Sequence, residues 1–135
     1  MVKEFLTSEM IEHGKEVIRK LDSAELEIRS ALWLYLEDPE KWRLILASPI
    51  VRIDGPKKVY KKVKQVLASK ALDTNIIDLS DISVVEDNHS LIKLMSNAIG
   101  QVPELSEVRF SRNTIQGHYI EDALIYRLNY QQKVA

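Results

Sequence analysis

Five polar side chains near the end of the chain have the types and spacing needed for a small binding site. Gln116-Gly117 predicts a two-residue turn that joins the last two predicted strands in a hairpin. In the register set by this turn, Ser111 lies opposite Asp122, and alternate residues share a face. That face carries the candidate ligand-pocket residues Arg109, Ser111, Asn113, His118 and Asp122. Such a set can bind an anion, a metal ion or a small polar ligand.

Asp122 lies within an apolar series on its strand, and an unpaired buried carboxylate is very costly. The series consists of Ile120, Leu124, Tyr126 and Leu128. One interpretation is structural: Asp122 and Glu121 pair with Arg109 and Arg112 and orient the hairpin. The other interpretation is the ligand pocket. His118 has no second ligand at a spacing diagnostic of a metal site, so we predict neither a metal ion nor a cofactor.

A lysine-rich helix is the second candidate for chemistry. From Pro49 to Leu72 the chain has seven basic residues and one acid, whereas from Asp73 to Asp87 it has five acids and no base. The polar side of the predicted helix carries Lys57, Lys58, Lys61, Lys62 and Lys64. A face of this kind can contact phosphates. It has no arginine for reading bases, and its one interleaved aromatic, Tyr60, belongs to the apolar side of the helix. A solvated surface helix is the alternative.

The sequence has none of the familiar enzyme motifs. It contains no glycine-rich phosphate loop, no HExxH pair and no G-x-S-x-G elbow. A helix followed by a hairpin invites comparison with restriction-endonuclease-like folds, but the strand Trp42–Leu46 has no acid-x-lysine motif. These observations favour a binding role over an enzymatic one.

The element that must position these residues is a central hairpin over Ser30–Ser48. Two apolar runs, Ala31–Leu36 and Trp42–Ala47, flank the polar break Glu37–Lys41. With Leu36 opposite Trp42, one face carries six large side chains, namely Leu32, Leu34, Leu36, Trp42, Leu44 and Leu46. Because the other face is also apolar, we expect helices on both sides, or helices on one side and a second subunit on the other. The second arrangement predicts a homodimer.

Around this hairpin we predict the order α-ββ-α-β-α-ββ. Thr7 or Ser8 caps the first helix, Gly55-Pro56 starts the second, and Asp87 or Asn88 caps the third. Gly14 lies on the apolar stripe of the first helix, which indicates close packing against the sheet. We interpret Ile50–Asp54 as a connection or strand extension. The prediction is a single α+β domain over residues 1–135, with a mixed five-stranded sheet and three helices.

Composition limits the classes of partner and compartment. The 135-residue chain has a formal net charge of −1, which provides no overall attraction to nucleic acid or anionic membrane. It has no cysteine, in keeping with a reducing compartment. The first ten residues do not resemble a signal peptide, and no stretch approaches the roughly 20 apolar residues of a membrane span. We therefore expect a cytoplasmic protein with no membrane partner.

Three segments resemble small uncharacterised bacterial proteins of a family of unknown function. The segments are W-R-L-I-L-A-S-P (Trp42–Pro49), D-I-S-V-V (Asp81–Val85) and G-H-Y-I-E-D-A-L-I-Y-R-L (Gly117–Leu128). The resemblance covers most of the chain after Ile28 and implies a self-contained bacterial domain. It implies no activity, ligand or site residue.

The function predicted from the sequence is a non-enzymatic binding or assembly module that acts on a protein partner or on a second copy of itself. One alternative is a nucleic-acid-associated accessory protein that uses the lysine helix. Another is a small-ligand or anion-binding protein that uses the Arg109–Asp122 hairpin.

Overall fold

The computed structural model describes residues 5–69, 79–103 and 105–130. Lys70 and the start of the acidic stretch Asp73–Asp87 lie outside the described residues. The elements in chain order are α1 (Ser8–Ser23), β1 (Ser30–Leu36), β2 (Lys41–Ser48), α2 (Ile50–Asp54), α3 (Pro56–Ser69), a 3-10 turn (Leu79–Asp81), β3 (Ile82–Glu86), α4 (Ser90–Ile99), β4 (Val108–Ile115) and β5 (His118–Arg127).

The strands form one sheet in the order β3-β2-β1-β5-β4. Only the β2–β3 pair is parallel among the paired strands of the described residues. The predicted α+β class with a mixed five-stranded sheet is therefore confirmed.

The predicted count of three helices is wrong, because Ile50–Asp54 forms the additional helix α2. Its β-branched residues favour a strand by propensity alone. Three features override that preference. Pro49 already has helical backbone angles, Ser48 Oγ accepts a hydrogen bond from the Ile50 N–H at 3.2 Å, and Val51 packs into the core with 4% of its surface exposed.

The predicted register of the first hairpin is also wrong, by one residue. Lys41 belongs to β2 and pairs with Leu36, and Tyr35 pairs with Trp42. Lys41 reads as a turn residue because it is charged, but its ammonium lies 2.5 Å from an Asp81 carboxylate oxygen. A slip of one residue exchanges the faces of a strand. The face of Trp33 and Tyr35 therefore carries the large β2 side chains, namely Trp42, Leu44 and Leu46.

Helices of the same chain pack on both faces of the sheet, as the first of the two predicted arrangements requires. Val17, Ile18 and Leu21 of α1, with Val59 and Val63 of α3, join Trp33 and Leu44 in the first core. On the other face, Ile92 and Met95 of α4 join Leu32 and Ile45 in the second core. The central hairpin is thus enclosed without a second subunit.

Gly14 allows α1 to approach the sheet closely, as predicted. A Cβ atom there would lie 2.9 Å from Tyr126 Cζ and 3.0 Å from Trp33 Nε1. The Tyr126 hydroxyl donates to the Ile11 carbonyl at 2.7 Å and accepts from Trp33 Nε1 at 2.7 Å. Burial raises the pKa of Tyr126. This network joins α1 to β1 and β5.

Of the three helix starts predicted from the sequence, those of α1 and α3 are confirmed and that of α4 is not. Thr7 caps α1 by accepting the Met10 N–H at 3.1 Å, and Pro56 is the first residue of α3 after Gly55. The predicted Asp87 or Asn88 cap of α4 is wrong, because His89 Nδ1 accepts the Leu91 N–H at 3.1 Å. The Asp87 carboxylate is instead hydrogen-bonded by Arg52.

The last hairpin has the predicted turn and register. Gln116 and Gly117 have φ angles of 47° and 83°, and positive φ at both turn residues is the mark of a type I′ turn. Ser111 pairs with Asp122, Asn113 with Ile120, and Ile115 with His118. The predicted Arg112–Glu121 pair is not part of the ladder, since Arg112 has a φ of 47°, although the two side chains lie 4.0 Å apart.

The predicted apolar series around Asp122 is divided between the two cores. Leu124 and Tyr126 belong to the first core, whereas Ile120 and Leu128 belong to the second. The pairing of β5 with β1 shifts by one residue between Leu32 and Ala31, and such a bulge moves the following side chains to the opposite face. This bulge accounts for Leu128. It does not account for Ile120, which precedes the residues of β5 that pair with β1.

Candidate functional site

Three of the five candidate pocket residues meet on the face of the sheet that carries the first core. Asp122 is 4% exposed and receives both arms of the Arg109 guanidinium, from Nε at 2.7 Å and from Nη2 at 2.6 Å. Ser111 Oγ donates to the same carboxylate at 2.7 Å. Charge-assisted bonds in this forked geometry are among the stronger ones in proteins. The arrangement matches the structural interpretation, with Arg109 and Ser111 as the partners of Asp122.

Arg109 is held on its other side by an aromatic ring. Its guanidinium carbon lies 5.6 Å from the centroid of Trp42, and Trp42 packs edge-to-face against Tyr35 at 5.4 Å. Hydrogen bonding to Asp122 raises the pKa of Arg109. The Arg109 side chain nevertheless remains 47% exposed. One edge of the ion pair is therefore open to solvent.

Asn113 and His118 do not join this cluster. Both are exposed, and His118 is the first residue after the turn. His118 and Asp122 are four positions apart, which corresponds to about 13 Å along a strand. Within the described ranges, no group of three or more His, Cys, Asp or Glu side chains could hold a metal ion. The polar residues of the hairpin thus divide into an ion-paired cluster and an exposed tip.

The five lysines of α3 form the second candidate surface. The opposite side of α3 is buried in the first core through Val59 and Val63, which are both 0% exposed. The exposed side carries Lys57, Lys58, Lys61, Lys62 and Lys64. We call these five residues the lysine face. In the part of the chain that the structure describes, only Lys62 of the five forms an ion pair, with Asp54 at 3.3 Å.

Three members of the lysine face are aligned along the helix. Lys57, Lys61 and Lys64 are spaced i, i+4 and i+7, so they follow one another along the same side of α3. Seven residues of helix correspond to about 10 Å. No acidic residue occurs in α3. The result is a short row of like charges that an extended acidic partner can contact at more than one point.

An ion pair joins the corner between α2 and α3 to Asp87, the residue that follows β3. Arg52 of α2 donates to both carboxylate oxygens of Asp87, at 2.7 and 3.2 Å, and Arg29 lies 3.7 Å from the same carboxylate. Hydrogen bonding from Arg52 lowers the pKa of Asp87 below its usual range. This pair positions the start of the lysine face relative to the end of β3.

The Arg52–Asp87 pair predicts a dependence of stability on pH. Because the pKa of Asp87 is lower in the folded state, the pair stabilises the protein above the usual carboxyl pKa and is lost as the pH falls below about 4. We expect Asp87→Asn to reduce stability at pH 7 more than at pH 3, as measured by urea unfolding. Asp54→Asn, at an exposed ion pair, is the matched control. Equal losses at both pH values would contradict the prediction.

A further feature of the structure is a cleft of about 1200 Å³. Its lining comes from three parts of the chain, 22–29, 101–103 and 127–129, which are distant in sequence. Arg127 lies among them and binds the Asp22 carboxylate at 2.8 Å and the Ile28 carbonyl at 2.6 Å. No sequence pattern indicates this cleft, because it forms only when these parts of the chain meet. None of the ten candidate site residues lines it.

Sequence reasoning also missed an exposed apolar residue beside the lysine face. Ile53 of α2 is 76% exposed and directly precedes Asp54, whose carboxylate lies 3.3 Å from Lys62 of the lysine face. As a connection or strand extension, Ile50–Asp54 has no defined outward side, so the sequence gives no signal for the exposure of Ile53.

Comparisons with known proteins give no relative from which a function could be inferred, so the function is inferred from this geometry. No protein-family model, no curated protein and no solved structure matches the chain. The resemblance to small bacterial proteins therefore stays a prediction. Among the described residues, no helix is both long enough and apolar enough to span a membrane.

Proposed function

We propose that this domain is a non-enzymatic binding module that docks on the acidic surface of a protein partner through the lysine face. The observation that carries the proposal is the exposed lysine face, of which only Lys62 is neutralised within the described part of the chain. Charge of one sign on a protein surface steers an oppositely charged partner and orients it. The packing of Val59 and Val63 of α3 in the first core supports a preformed contact surface.

The second candidate function is association with nucleic acid through the same face. It is supported by the alignment of Lys57, Lys61 and Lys64, which suits point-charge contacts to successive phosphates. Lysine ammonium groups do not provide the forked contacts by which arginine reads guanine. Binding would therefore be independent of base sequence and would weaken steeply between about 50 and 200 mM salt.

The third candidate function, binding of a small anion at the last hairpin, depends on the open edge of Arg109. That side chain is 47% exposed, so an anion can approach it from solvent. The anion would compete with Asp122, which already receives two bonds from the guanidinium. This competition favours the lysine face as the main contact surface.

We also propose a cytoplasmic setting and retain self-association as an alternative form of partner binding. The absence of cysteine supports the first proposal. For the second, the enclosure of the central hairpin by α1, α3 and α4 removes the need for a subunit to cover it. Light scattering at tens of micromolar decides the point: a monomer mass would exclude a homodimer at that concentration.

Reversing two charges of the lysine face tests the proposed function. We expect Lys61→Glu with Lys64→Glu to weaken binding to fluorescent poly-glutamate by about tenfold or more, because each reversal replaces attraction by repulsion. The measurement is fluorescence anisotropy at low salt, with duplex DNA as a parallel probe. Arg19→Glu with Lys93→Glu, two exposed positions on α1 and α4, is the matched control.

The control is expected to bind as the wild type does, since it changes the net charge equally at another surface. If wild-type protein binds neither probe at low salt, or if both double variants lose the same affinity, the lysine face is not a binding surface. Binding of DNA with a steep salt dependence, without binding of poly-glutamate, would replace the protein partner by the nucleic-acid alternative.

A further inference from the structure

Ile53 is exposed to a degree that is unusual for a large apolar side chain. Together with Phe5, it has the highest exposed fraction, 76%, among the large apolar residues that the structure describes. Single exposed apolar residues are common on protein surfaces. Ile53 is informative about the partner because it directly precedes Asp54, whose carboxylate lies 3.3 Å from Lys62 of the lysine face.

The backbone around Ile53 is held from several sides. Val51 is buried, the Gly55 N–H donates to the Val51 carbonyl at 3.0 Å, and Arg52 is fixed to Asp87. Asp54 reaches Lys62 at 3.3 Å, which places the end of α2 beside the polar side of α3. Because these contacts hold the backbone on both sides of Ile53, a partner that covers the side chain orders little additional backbone.

We propose that the partner of the lysine face is an acidic protein segment that carries apolar side chains to cover Ile53. This inference rests on the proposed function and specifies its partner. Charge complementarity with the lysines gives attraction and orientation, while burial of an apolar anchor contributes most of the affinity in many interfaces. The phosphate backbone of a nucleic acid offers no comparable apolar surface. Ile53 therefore favours a protein segment over a nucleic acid at this site.

Two matched peptides test the proposal. One is a twelve-residue glutamate-rich peptide with two leucines, and the other has serines in place of the leucines. We expect wild-type protein to bind the leucine peptide about tenfold more tightly in fluorescence anisotropy, because one buried aliphatic side chain accounts for a factor of this size. Ile53→Ser is expected to abolish that preference and to keep the affinity for the serine peptide.

Three further variants separate the contributions. Ile53→Val keeps an apolar anchor and is expected to keep the preference. Phe5→Ser removes an equally exposed apolar residue elsewhere and is expected to change nothing. Lys61→Glu with Lys64→Glu is expected to weaken binding of both peptides. Circular dichroism melting curves confirm that each variant is folded.

The outcomes distinguish this inference from the proposed function. Equal binding of the two peptides by wild-type protein, with loss of both in the lysine variant, would overturn the role of Ile53 and leave the lysine face intact. No binding of either peptide would overturn both. Tighter binding of duplex DNA than of either peptide, unchanged in Ile53→Ser, would also overturn the protein segment as the partner.

Discussion

Replacement of Gly14 by alanine is expected to destabilise the fold by about 1–3 kcal/mol, which is the usual range for overpacking a core. Alanine favours an isolated helix over glycine by about 1 kcal/mol, so propensity alone predicts the opposite sign. The contact decides, because the new Cβ would lie 2.9 Å from Tyr126 Cζ and 3.0 Å from Trp33 Nε1. Urea unfolding measures the change, and a stability equal to or above that of the wild type would contradict the prediction.

A double-mutant cycle with Tyr126→Phe identifies the cause. Removing the hydroxyl leaves Trp33 Nε1 and the Ile11 carbonyl without this partner, which costs about 1–3 kcal/mol by itself. It also creates room near Gly14, so the double variant should be more stable than the sum of the two single losses predicts. Strict additivity would mean that Gly14→Ala acts through another contact.

Replacement of Asp122 by alanine is expected to cost about 1–3 kcal/mol. The buried carboxylate accepts two bonds from Arg109 and one from Ser111, and its loss leaves the guanidinium without its partner. Larger losses are typical of fully buried pairs, but water can solvate part of Arg109, which is 47% exposed. Urea unfolding at neutral pH is the measurement. Asp122→Asn keeps the shape and some acceptor capacity, so we expect a smaller loss.

Glu121→Gln is the matched control on the same strand. Its ion pair with Arg112 is long, at 4.0 Å, and Arg112 is 82% exposed. The glutamine amide oxygen can still accept the Tyr119 hydroxyl that Glu121 accepts at 2.8 Å, so the expected change is within about 1 kcal/mol. A change in Asp122→Ala no larger than in this control would contradict the structural role of Asp122.

The same variants examine the ligand-pocket interpretation of the hairpin. Ligands that prefer the folded state raise the melting temperature. We would screen phosphate compounds, metal ions and common metabolites against wild type and Asp122→Asn. A shift of several degrees that disappears in the variant would assign a ligand to the Arg109–Asp122 cluster. Destabilisation by the variant with no ligand shift in either protein would leave its role structural.

Where the sequence alone was sufficient, the deciding chemistry was local. Gln116-Gly117 determines a type I′ turn, which sets the register of the last hairpin and brings Ser111 opposite Asp122. The same register placed Arg109 one diagonal step from Asp122, within reach of a long side chain. The ion-paired half of the candidate pocket was therefore predictable. The exposure of Asn113 and His118 depends on how the tip of the hairpin extends beyond the sheet.

Where the sequence alone failed, contacts between distant residues decided the outcome. The register of the first hairpin depends on whether Lys41 is a turn or a strand residue, and its ion pair with Asp81 lies on another element. Similarly, α2 forms because Val51 packs into the core and Arg52 binds Asp87. A helix of five residues has too few internal hydrogen bonds to be stable by itself.

The amino-acid sequence by itself determined the α+β class, the strand number, the lysine face and the last hairpin. These features follow from side-chain periodicity and turn chemistry over a few neighbouring residues. Only the tertiary structure decided which face of the sheet each β2 side chain occupies, which lysine is neutralised, and that Ile53 is exposed at the end of α2 that contacts the lysine face. These depend on contacts between elements far apart in the chain, whose free energies outweigh the local preferences of single residues.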